Sequence, residues 1–108
     1  MIEERLYEYI SGKTEYPVAF EEIPEQQYYL IEKTGTSKEN HITTSTISIK
    51  SYGRTLIEAI QMNEAVKKIM DEFEHEADIS ESKLINDHNF TDTNKKKYRY
   101  RCIYEIVR

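Results

Sequence analysis

Residues 55–75, TLIEAIQMNEAVKKIMDEFEH, decide how the chain folds. Leu56, Ala59, Ile60, Val66, Ile69, Met70 and Phe73 recur at three- and four-residue steps, the spacing that lines up one apolar stripe on a helix. Thr55 and Glu58 stand three apart, as a capping box requires at a helix start. A helix is therefore expected from Leu56 to about His75. Met62 flanks its stripe, and Asn63 interrupts it as a boundary residue or a subunit contact.

Working outward, Gly53 ends the preceding segment, Ile42–Tyr52, whose Thr and Ile content suits a strand with Ile47 and Ile49 on one face beside Thr43 and Ser45. Before it, residues 35–41 (GTSKENH) read as a polar loop, and Gln27–Thr34 (QYYLIEKT) as a strand with Tyr28, Leu30 and Glu32 alternating against Tyr29, Ile31 and Lys33. Glu21–Gln26, with Pro24, is a turn, and Val18–Phe20 after Pro17 a short strand. Ile2–Ser11 predicts a first helix with Ile2, Leu6, Tyr9 and Ile10 on one stripe, Glu3 and Glu4 at its positive end, and Gly12 as terminator.

On the other side, Asp78–Ser80 is a turn and Ser82–Asn89 a less regular strand with Leu84 and Ile85 directed inward. Phe90–Lys97 forms a polar tip before a last strand, Tyr98–Val107, with Tyr98, Tyr100, Cys102, Tyr104 and Ile106 on one face. Taken with its flanking residues, about twelve in all, that strand would span roughly 40 Å, and a chain of 108 residues is expected to leave much of it uncovered. The order helix, three strands, helix, two strands predicts one α+β domain over residues 1–108. Its single mixed, largely antiparallel sheet would carry both helices on one face.

Hydrophobic residues make up 38% of the chain and charged ones 32%, so the core is expected to be thin, with nine tyrosines supplementing it. A thin core in a small domain favours oligomerisation. The net charge of −5 disfavours general nucleic-acid binding. One cysteine excludes an internal disulfide, and on an apolar strand face Cys102 reads as a small buried hydrophobe. No apolar run reaches membrane-spanning length, so a soluble protein without membrane contact is expected.

Catalytic constellations are not found. His41, His75 and His88 lie in separate elements without zinc-pair spacing, and Gly12, Gly35 and Gly53 form no phosphate-cradling pattern. The Glu72, Glu74, His75 and Glu76 cluster and the pairs Glu21–Glu22 and Asp71–Glu72 read as solvated charge. No enzyme, metal or cofactor is expected. Lys95, Lys96, Lys97, Arg99 and Arg101, five cations within seven positions, are interleaved with Tyr98 and Tyr100. They allow stacking and phosphate contact in a small nucleic-acid-binding or regulatory module. Strand alternation, however, turns the rings and guanidiniums to opposite faces, which favours contact with protein carboxylates or protection of a strand edge.

The stretches IEERLYEYI (2–10), YYLIEKTG (28–35), SKENHITTSTISIKSYG (37–53), TLIEAIQMNEAVKKIMD (55–71) and NFTDTNKKKYRYRCIYEIV (89–107) together cover most of the chain. Their arrangement resembles the tail-terminator or head–tail joining proteins, small virion components of long-tailed bacteriophages and prophages also described as tail-completion or minor capsid proteins. The resemblance implies a non-enzymatic structural protein, without catalytic residues, cofactor or stable nucleic-acid binding, assembled in the cytoplasm of a bacterial host. It also implies a homo-oligomeric ring, commonly of six subunits, between the tail tube protein and the head connector. Two segments are expected to make the contacts: residues 35–41, with Lys38, Glu39 and His41, and residues 91–97 with the strand beyond, with Asp92, Lys95, Lys96, Lys97, Arg99 and Arg101.

Overall fold

The computed structural model describes residues 1–108. Its elements are α1 (Ile2–Ser11), β1 (Val18–Ala19), β2 (Tyr28–Glu39), β3 (Ile42–Gly53), α2 (Leu56–Asp71), a 3-10 turn (Phe73–His75), β4 (Glu81–Asn89) and β5 (Tyr98–Val107). The strands form one sheet in the order β1-β2-β3-β5-β4, with β1 parallel to β2 and every other pair antiparallel. Both helices cover the same face, giving the α+β architecture the sequence predicts.

Alternation along the strands makes the core. Ile47 and Ile49 of β3, Ile31 of β2 and Cys102, Tyr104 and Ile106 of β5 point to the helix side, where Leu6 and Ile10 of α1 and Met62, Val66 and Met70 of α2 meet them. Thr55 caps α2 by accepting a hydrogen bond from the Glu58 N–H at 3.2 Å. The helix stripe is rotated from the sequence reading: Met62 and Asn63 are buried, whereas Leu56 is 39% exposed. Asn63 is therefore no boundary residue. Its Nδ2 donates to Asp87 Oδ1 at 2.7 Å, tying α2 to β4 beneath the sheet.

Three expectations are corrected. Residues 35–39 are strand, not loop; β2 continues to Glu39, and only Asn40 and His41 make the turn. Both have positive φ, 50° and 67°, the twisted two-residue geometry that keeps a hairpin's strands in register. Leu84 and Ile85 are exposed, not core: Leu84 keeps its register opposite Tyr104 but sits on an edge strand, and Ile85 falls in the bulge between Leu84 and Asn86. And β5 is covered on its helix side from Cys102 onward. At ten residues it lies between β3 and β4, with Cys102, Tyr104 and Ile106 at most 3% exposed. The sheet's edges are β4 on one side and, on the other, β1 with the part of β2 that its two residues leave unpaired.

Ion pairs fasten α1 to β2 through Glu3 and Lys33, α1 to the loop before β4, and α2 to β4. Arg5 of α1 donates to Glu76 at 2.6 Å and Asp78 at 3.1 Å, and Lys67 of α2 reaches Asp87 at 2.5 Å. The Arg5 hydrogen bond holds the Asp78 carboxyl below its ordinary range. At Asp87 burial acts upward, but the Lys67 and Asn63 hydrogen bonds outweigh it, so its pKa is lowered too. A depressed carboxyl stabilises the fold above the ordinary carboxylate range and loses that contribution as pH falls through its folded value. The urea midpoint is expected to be lower at about pH 2.5 than at about pH 6, and Asp78→Asn should reduce that difference, leaving the Asp87 part. An unchanged midpoint across the two conditions would contradict this account.

Candidate functional site

The face of the sheet opposite the helices carries the densest functional chemistry. Strand register places Lys50 of β3 beside Arg101 of β5, Tyr52 beside Arg99, and His88 of β4 on the other side of Arg101. All five side chains therefore share this open face. Phe90, just past β4, lies among them: the Arg99, Arg101 and Lys50 cationic heads stand 4.5, 5.3 and 5.7 Å from its ring centroid. Attraction to the ring's negative face offsets part of the repulsion among three like charges.

Local hydrogen bonds hold the guanidiniums in place. Arg99 Nε donates to the Phe90 carbonyl at 3.0 Å, and Arg101 Nη2 lies 2.8 Å from His88 Nε2. Arginine is only a donor, so His88 Nε2 accepts and the ring's proton sits on Nδ1, which faces Asn86 Oδ1 at 3.2 Å. The ion pairs reaching this face are Lys50–Glu32 at 3.6 Å and Lys97–Glu22 at 3.2 Å; Arg99 and Arg101 belong to none. Within the chain neither arginine pairs with Glu21, Glu22 or Glu25; Lys97 takes Glu22.

The tip between β4 and β5 is an ordered turn. Asp92 and Lys97 pair through their backbones, and Asp92 Oδ1 accepts the N–H groups of Asn94 and Lys95 at 3.1 and 3.2 Å. The Asp92 carboxylate is committed to its own loop, leaving Lys95 and Lys96 as the exposed charges of the tip. Beside it runs a groove of about 620 Å³ lined by Glu22, Tyr28, Tyr52, Arg54 and Lys97. Tyr28 and Tyr52 stack in it at 4.5 Å, and burial followed by the Tyr52 charge raises the Tyr28 hydroxyl to about 12.

Lys38, Glu39 and His41 lie at the other end of the molecule. The β2–β3 turn precedes the first residue of β3, whereas the β4–β5 tip flanks its last, with Gly53 opposite Tyr98. The longest dimension is 45 Å. The two contact segments expected from sequence therefore occupy opposite poles and cannot form one site. Sequence reading missed Lys50, His88 and Phe90, since only the strand register brings them to Arg99 and Arg101.

No protein-family model matches the chain, and no curated protein does. Cys102 is fully buried; burial raises its thiol to about 12, and Sγ lies 3.7 Å from the Ile49 carbonyl, the environment of a packing residue. No group of three His, Cys, Asp or Glu side chains converges as a metal site requires. No helix is long and apolar enough to cross a membrane.

Proposed function

We propose that this protein is a non-enzymatic structural adaptor, a tail-terminator or head–tail joining component of a long-tailed phage or prophage. It acts as a ring of copies between tail tube and head connector in a virion assembled in the bacterial cytoplasm. The observation that carries the reading is bipolarity. One stiff sheet presents a polar hairpin turn at one pole, at Asn40–His41, and a lysine-rich tip at the other, at Lys95–Lys96. An adaptor between two partners needs such a pair of contact points held at fixed separation. The uncovered edge of β4, with Leu84 40% and Ile85 46% exposed, is surface that neighbouring copies in a ring would cover.

Lys95→Glu combined with Lys96→Glu tests the reading. Lys97 is spared because of its bond to Glu22. Both replaced side chains are exposed, so stability should change by no more than about 0.5 kcal/mol. Joining of tails to filled heads is expected to fall, read as free heads and free tails in electron micrographs of a lysate. Wild-type particle yield from the double variant would sink the assignment. The basic segment also admits a nucleic-acid module, and Phe90 beside Arg99 and Arg101 is the arrangement that favours it. A gel shift with the unmodified protein at physiological salt separates the two, because the adaptor gives none.

A further inference from the structure

Arg99 and Arg101 are oriented, clustered around Phe90 and unpaired, on the face that the chain's own helices do not cover. A matching surplus of the opposite sign lies on the other side of the molecule. Asp71, Glu72 and Glu74, at the end of α2 and in the 3-10 turn after it, are exposed and take part in no ion pair. They also sit at the carbonyl end of a sixteen-residue helix, where the backbone dipole is negative and a cation is most favoured. Lys68 is the only basic residue in that last turn.

We propose that the open-face cluster of Lys50, Arg99 and Arg101 receives the acidic α2 end of a second copy of this chain, with Asp71, Glu72 and Glu74 paired to the two guanidiniums. The inference rests on the self-assembling reading above and specifies its interface. Arginine suits the role because its planar fork binds carboxylates in pairs of hydrogen bonds, and the contacts of Arg99 and Arg101 with Phe90 and His88 fix their orientation beforehand. Geometry then sets the symmetry. Socket and plug lie on opposite faces of one molecule, so the contact is head-to-tail. Every copy keeps a free socket at one side and a free plug at the other, which generates a closed ring or an open filament but never an isolated two-fold dimer.

Two charge-reversed full-length proteins test this. One carries Arg99→Glu and Arg101→Glu; the other carries Asp71→Lys, Glu72→Lys and Glu74→Lys. Mass is followed by light scattering over a concentration series, with circular dichroism confirming the fold. Wild type is expected to associate, more weakly at high salt. Each variant alone should associate at least about 100-fold more weakly, because like charges then face each other at every contact. An equimolar mixture should regain association, since each variant's socket now fits the other's plug, in alternating order. Arg99→Gln with Arg101→Gln is a milder change should the reversed socket unfold, and is expected to give intermediate weakening.

Wild-type association that both reversed proteins retain, or a mixture no better than its components, overturns the interface while leaving the adaptor assignment standing. A wild type still monomeric at about 1 mM overturns the self-contact altogether; the Lys95/Lys96 experiment judges the adaptor assignment independently. DNA binding at physiological salt that vanishes with Arg99→Glu and Arg101→Glu, without a change in mass, would assign the cluster to nucleic acid instead.

Discussion

Phe73→Ala is expected to remove a large share of the folding stability of this protein. Phe73 is fully buried in the 3-10 turn that follows α2. Its ring meets Tyr9 of α1 edge-on at 4.9 Å, and the Arg5 guanidinium stands 5.5 Å from its centroid. One side chain thereby fastens the two helices to each other as well as to the sheet. Truncating a buried phenylalanine costs about 3–5 kcal/mol, transfer and cavity contributions together. A domain of this size has roughly 5–15 kcal/mol in total, so the loss takes a large share. Urea unfolding followed by circular dichroism should show the midpoint collapse. A drop under about 1 kcal/mol would mean that Phe73 is not the joint between the helices.

Gly53→Ala is the second large effect. Gly53 ends β3, and α2 starts three residues later. A Cβ at this position would stand 2.5 Å from the Ala59 backbone nitrogen and 3.0 Å from both Ala59 Cα and the Thr55 carbonyl oxygen. These are main-chain atoms of the first helical turn, where the Ala59 N–H donates to that same Thr55 oxygen at 3.1 Å. No rotamer change relieves the clash; the helix itself must move away from the strand. Crowding of that kind costs about 1–3 kcal/mol, occasionally more. The same urea titration decides it, and a wild-type midpoint would show that α2 can shift at little cost. Gly53 also pairs with Tyr98, so a displaced helix start would be felt where β5 begins, next to the lysine tip.

Those two residues belong to the part of the fold that a reader of the sequence can reach. The bounds of α1 and β3, the start of α2 and the Thr55 cap follow from spacing and side-chain type, because each is governed by neighbours within a turn or two. Thr36–Glu39 escapes the same reasoning. There every β2 residue is exposed, so pairing with Ile42–Ser45 imposes no apolar alternation on it, and the turn is Asn-His where Asn-Gly would have announced it. Asn63 looks like a flaw in the helix stripe until Asp87, 24 residues on, supplies its partner. Ile85 looks like core because nothing local announces a bulge. The cationic face is the extreme case: Lys50 and Arg101 are 51 positions apart in sequence and become neighbours only through the β3–β5 register.

The location of β5 has a consequence for the order of events when the polypeptide is made. Translation delivers β3 and β4 first, yet these two strands never touch; the space between them is reserved for residues 98–107. Until that stretch has left the ribosome, Ile47 and Ile49 have no neighbour on that side, and Asn63 and Lys67 have no strand to anchor the carboxylate they share. Nascent chains would dwell with two bare strand borders, the kind of exposure that recruits chaperones or mispairs with another copy. The pairing of β3 with β4's side of the sheet is thus completed only when residues 98–107 take their place between the two strands.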